Sequence, residues 1–267
     1  MPHVLIKMLS AVFLGLLLVV HSAHSADKVV ILKPFTLAKV YKNAKMPQVA
    51  DVVKRQLEAG GFNIVGIYKP YAATNIFIIT DNTILKSAEK SKFGGFGAAI
   101  RVSVTQSNND VQVAHNNPTY MGIAYSMKTY LSSTRQKLAQ TLGYVEDFGG
   151  KGIPSNELAD YNYSVGLEGF SGFMDLAEHK SYSDAMKAVE NGFSKNLKNM
   201  QKVYQIDIPG KNQTIFGVSL KNDVNNEKYL NDQYVMNILE SKDLSRSAHL
   251  PYEIMVSDNR VLMMHPH

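Results

Sequence analysis

A β-ribbon pattern occurs twice in this chain. Ala98 to Pro118 reads AAIRVSVTQSNNDVQVAHNNP, and Ser247 to Pro266 reads SAHLPYEIMVSDNRVLMMHP. At one constant offset, Val104 matches Ile254, Ser107 matches Ser257, Asn109 matches Asn259, Val111 matches Val261 and His115 matches His265. In the first copy Ile100, Val102 and Val104 share one strand face, opposite Arg101 and Ser103, because strand side chains alternate with period two. In the second arm Val111 and Val113 share a face with His115. SNND supplies turn chemistry between the arms. Two matched ribbons point to two copies of one sheet-and-helix unit.

The residues around each ribbon follow the same order: strand, helix, strand, strand, helix, strand, strand. The first unit is expected over 27–145. Its opening apolar run is interrupted by Pro34, which argues for an edge or a bulge. Val49, Val52, Val53 and Leu57 fall at helical spacing, with Gly60 and Gly61 as a stop. TNIFIIT, at 74–80, is continuously apolar, so burial on both faces is predicted. TILKSAEK is a short helix, and Ile123, Met127, Tyr130, Leu131, Leu138 and Leu142 predict one long amphipathic helix over 121–142. The Gly-, Pro-, Ser- and Asn-rich stretch 146–160 reads as a linker. The second unit is expected over 161–267. YSVGLEGF is its candidate opening strand, and SYSDAMKAVENGFSKNLKN a helix capped by Ser181 or Ser183. Nothing in it matches the helix over 121–142. Either its core is covered by something else or the chain is short at its C-terminus. The fold class expected is α+β, as two tandem copies of a small strand-helix-strand-strand-helix-hairpin domain.

Residues 1–26 have the layout of a secretory signal peptide. Lys7 is the positive n-region, Met8–Val20 is an apolar stretch of thirteen residues, and Ala23 and Ser25 stand at −3 and −1 of a cleavage after Ser25. The alternative, an uncleaved anchor, meets a run shorter than the roughly 20 residues a span requires. The expected product is periplasmic or secreted, with no stable membrane insertion after cleavage. The 267 residues contain no cysteine, which excludes disulfides, zinc–thiolate sites, iron–sulfur clusters and cysteine nucleophiles. The formal charge of +5 is spread through the chain without a basic run, so nucleic acid is not an expected partner.

The helix ending at Gly61–Phe62, the strand NIFIITDN, the helix TILKSAEK and the hairpin AAIRVSV…NDVQVAHNNP together resemble the domain-of-unknown-function 302 family. The resemblance spans about residues 45–142 and, more faintly, 180–266. It implies a small α+β fold whose hairpin ends just before a proline. It implies no catalytic residue. A cysteine often found near the hairpin in that family has no counterpart here.

Chemistry is sparse. His115 and His265 close equivalent ribbons, and Met263, His265 and His267 would share one face of an extended strand. Imidazole and thioether groups suit copper, or a haem iron. The competing reading is a core-facing methionine beside histidines at a strand end. Gly94, Gly95 and Gly97 do not have dinucleotide-loop spacing and read as a turn. GFSGF, 169–173, is not a GxSxG elbow. Asp147, Glu157 and Asp160 read as solvated linker carboxylates, and Tyr161 and Tyr163 as one strand face that lines a pocket or a core edge. Two expectations follow. One is a non-enzymatic module that binds a small ligand or a protein partner between its units, with no cofactor. The other is a copper- or haem-linked redox or metal-handling protein using His115, His265, Met263 and His267.

Overall fold

Pro34 has no N–H to give a ladder and splits the first apolar run, so β1 (Ile31–Leu32) stops and β2 (Phe35–Tyr41) begins after it. The computed structural model describes residues 29–127, 129, 131–162, 172–196, 200–221, 228–239 and 243–264. In the first half α1 (Met46–Ala59), β3 (Asn63–Tyr68), β4 (Thr74–Thr80), α2 (Asn82–Glu89), β5 (Ile100–Ser107) and β6 (Asp110–Asn116) follow β2. α1 ends at Gly60, and Gly61 takes a left-handed φ of 73°. Asp81 caps α2 by accepting from the N–H groups of Thr83 and Ile84. β4 is buried along its whole length, as its unbroken apolar run predicts.

The long helix predicted over 121–142 is instead two helices, α3 (Pro118–Ala124) and α4 (Ser132–Leu142). Between them Ser126 and Leu131 have left-handed backbones, with φ of 49° and 48°. The chain leaves the helical path to bury Met127 against Gly97, where an added Cβ would lie 2.3 Å from the Met127 sulfur. Ile123 of α3 packs with Leu32 and Leu158, whereas Leu138 and Leu142 of α4 join the main core, so apolar spacing continues across the break and periodicity alone does not register the turn.

The segment expected as a linker is partly built into the first half. β7 (Glu146–Phe148) pairs with β2, and β8 (Ile153–Pro154) pairs with β1. In the second half β9 (Phe173–Glu178), α5 (Tyr182–Ser194), β10 (Met200–Asp207), β11 (Gln213–Leu220), α6 (Asp232–Leu239), β12 (Tyr252–Ser257) and β13 (Arg260–Met264) follow. Ser181 caps α5 by accepting from the Asp184 N–H. The candidate strand YSVGLEGF, 163–170, lies outside the described residues, and β9 is the first strand described in this half.

The first sheet runs β3-β4-β5-β6-β2-β7 and the second β10-β11-β12-β13-β9, with every neighbour antiparallel. Apart from the added β7, the two orders are the same when each strand is replaced by its counterpart. Both hairpins close on two residues, with Asn108 and Asp258 left-handed at φ 53° and 51°. No described helix is long and apolar enough to cross a membrane.

Residues opposite one another in a ladder project from the same face. On the first sheet Ile78 stands between Gly66 and Arg101, and Ile76 between Tyr68 and Ser103. This face meets the second sheet. Gly66 allows the contact: a Cβ there would lie 2.9 Å from the Tyr204 Cβ. On the opposite face Phe77, Val102 and Val113 lie in one core with Val53 and Leu57 of α1 and Leu138 and Leu142 of α4. On the second sheet Ile206, Ile215, Met255 and Leu262 form an inner row in the same core. Phe216, Val256 and Val261 turn outward beneath α5. The layers run helices, sheet, sheet, helix, and the first unit covers the inner face of the second.

Candidate functional site

The seam between the sheets is polar where alternation would place solvent. Arg101, Ser103 and Thr105, opposite the apolar face of β5, are all buried. The chain from 243 to 253 lies over them. The Thr105 and Ser247 hydroxyls are 2.8 Å apart, the Gln112 amide donates to the Asp243 carbonyl at 2.7 Å, and the Asn116 amide donates to the Ala248 carbonyl at 3.0 Å. At the centre Arg101 Nη2 lies 2.7 Å from Glu253 Oε1, and the Tyr204 hydroxyl donates to the same oxygen. Burial pushes the Glu253 carboxyl and the Tyr204 phenol above their ordinary pKa values; Arg101 acts against the shift in both. A second bridge joins the units where the Tyr68 hydroxyl and the Leu220 N–H donate to Asp232 Oδ2. Burial raises the Asp232 pKa to about 6 despite those donors.

At one end of the seam lies a cleft of about 300 Å³ lined by Lys92, Phe93, Phe96, Tyr125, Ser126 and Phe173. The 3-10 turn Gly94–Gly97 forms its base. The glycines there serve close packing. A Cβ on Gly94 would lie 2.3 Å from the Ala88 carbonyl oxygen, and one on Gly95 2.7 Å from the Met255 sulfur. Gln213 on β11 holds this loop to the second unit: its Oε1 accepts from the Gly95 N–H at 3.1 Å and its Nε2 donates to the Lys92 carbonyl at 3.0 Å. Phe173 enters from β9. Its ring centroid is 4.2 Å from that of Phe93 and stacks on Phe96 at 5.7 Å, and Phe96 is 6.3 Å from Tyr125. Phe93 and Phe96 are 80 and 77 residues before Phe173, so no local pattern signals their meeting. A further, polar cavity of about 250 Å³ lies between α2 and the start of α4, beside Lys86, Lys90, Ser132 and Ser133.

Of the sequence-nominated metal ligands, the two that are described, His115 and Met263, do not come together. His115 is buried on the helix-covered face of the first sheet, opposite Thr36 and Val102. Met263 pairs with Ile254, on the outward face of the second sheet. The two therefore lie on opposite outer sides of the double sheet. His265 and His267 lie outside the described residues. Among the described residues no three of His, Asp and Glu gather as a metal site. Asp147, expected as a solvated linker carboxylate, accepts from the Thr36 hydroxyl at 2.7 Å and from Arg135 at 2.9 Å.

His115 Nδ1–H donates to the Asn116 carbonyl at 2.7 Å, while Nε2 is buried without a partner. Burial lowers its pKa to about 4, so the ring is neutral at pH 7. Because the unfolded chain takes up this proton near pH 6.5 and the folded chain does not, stability falls as pH drops from about 6.5 towards 4. Asp232 acts in the opposite sense, since the folded state retains its proton up to about pH 6. Comparing variants separates the two. His115→Gln is expected to lose about 2 kcal/mol less stability than wild type between about pH 6.5 and 4.5, as read by urea unfolding at each pH. Equal losses in the two proteins would remove His115 from the acid response. Set beside known proteins, the chain matches no family model, no curated protein and no solved structure.

Proposed function

We propose that the chain is an exported, non-enzymatic module that binds a small, largely apolar ligand in the cleft between its two units. The observation that carries this is the aromatic lining of that cleft. Phe93, Phe96, Tyr125 and Phe173 come from both units and converge on a concave space of about 300 Å³, at the small end of ligand pockets. Its described lining offers hydroxyls and one amine but no imidazole or carboxylate, which suits holding a ligand more than transforming one. Export rests on the layout of residues 1–26. The shared strand order supports reading the units as copies of one module of the kind the domain-of-unknown-function 302 resemblance describes.

Binding to the folded state raises Tm by linkage. A panel of aromatic and aliphatic compounds at about 100 times Kd is expected to raise Tm by several degrees for aromatic members. Phe173→Ala is expected to abolish that rise. No shift from any compound, or a shift that survives Phe173→Ala, rules the cleft out as the site. The copper- or haem-linked alternative now depends on Met263 with His265 and His267. Metal analysis of protein purified from its native compartment tests it, and absence of copper, iron and haem removes it.

A further inference from the structure

We infer that the ligand of the aromatic cleft is a planar aromatic acid, its rings against Phe93, Phe173 and Tyr125 and its anionic group at Lys92. This rests on the binding reading above and names the ligand class.

The lining defines the body of the ligand. Buried Phe96 backs Phe173, almost parallel to it at 10°, while the part-exposed Phe93 ring is tilted 58° to Phe173. Rings presented this way accept a flat guest by offset stacking and edge contact. A cavity of about half this size holds a benzene ring, so two fused rings match the space. A branched aliphatic ligand would lose the stacking.

Charge defines the head group. Lys92 is the only charged residue lining the cleft among the described residues, and no carboxylate there pairs with it. Its ammonium is exposed and lies over the Phe93 ring, 5.0 Å from the centroid. Aromatic boxes also hold quaternary ammonium groups by cation–π attraction, but a lysine at the mouth repels such a guest. The main chain beneath Lys92 is fixed by the Gln213 amide at 3.0 Å. Only the flexible stem must order on binding, and that favours pairing with an incoming anion.

Titration calorimetry with three probes of matched shape tests this on the full chain: 2-naphthoate, neutral 2-naphthamide and cationic 2-naphthylmethylamine. The expected order is naphthoate tightest, by about fivefold over the amide, and the amine weakest. Lys92→Met keeps the stem over Phe93 and removes the charge. It is expected to bring naphthoate to the affinity of the amide while the amide is unchanged, and to leave folding intact because the side chain is exposed. Raising the salt concentration is expected to erase the preference in wild type. If naphthoate and amide bind wild type equally, or the preference survives Lys92→Met, the acid assignment is overturned and the binding site stands. If none of the three binds, both readings fail.

Discussion

Arg101→Ala is expected to lower the unfolding free energy by about 3–5 kcal/mol, the effect of stripping one partner from a buried ion pair. The pair sits at the middle of the seam, with both side chains buried and 2.7 Å between Nη2 and Oε1. Removing the guanidinium leaves the Glu253 carboxylate with only the Tyr204 hydroxyl as partner. The cost comes from desolvation left unmet, not from the attraction itself. The triple replacement Arg101→Met, Glu253→Leu, Tyr204→Phe removes every member at similar volume and is expected to recover most of the loss. Urea unfolding of the three proteins decides. A loss below about 1 kcal/mol in Arg101→Ala would mean that the seam is hydrated and the pair is not buried.

Gly217→Ala is the second large effect, expected at about 2–4 kcal/mol from overpacking and a broken buried hydrogen bond. Tyr204, Gly217 and Glu253 stand in one row across β10, β11 and β12. Tyr204 reaches Glu253 by laying its ring over the strand between them, which is possible only where that strand has no side chain. A Cβ on Gly217 would lie 2.0 Å from the ring carbon Cε1. The methyl group must displace the ring and with it the hydroxyl from Glu253. Since both mutations break the same contact, Gly217→Ala combined with Tyr204→Ala should cost less than the sum of the single effects. Strict additivity in that double-mutant cycle would show that the ring does not cross Gly217.

Much of the architecture was legible in the residues. The ribbon in each half, the strand buried on both faces at 74–80, the stop at Gly60–Gly61 and a cap at Ser181 or Ser183, which the fold places at Ser181, all follow from short-range rules of alternation, turn conformation and capping. The α+β class and the same order of elements in both halves followed from them. The single helix over 121–142 and the linker over 146–160 did not hold, because a break that preserves apolar spacing and a short edge strand leave little local signal. The cleft was not legible in the residues. Phe93 belongs to a turn, Tyr125 to a helix end and Phe173 to an edge strand.

The elements, their order and the ribbon in each half depend on residues a few positions apart, and so could be read along the chain. That the polar side of β5 faces a second sheet, that Arg101 finds Glu253, and that His115 and Met263 lie on opposite sides of the molecule emerges from long-range packing. Those outcomes depend on which faces the two sheets turn to each other. That choice is made by shape across the seam, where Gly66 and Gly217 admit Tyr204, and no single strand carries it.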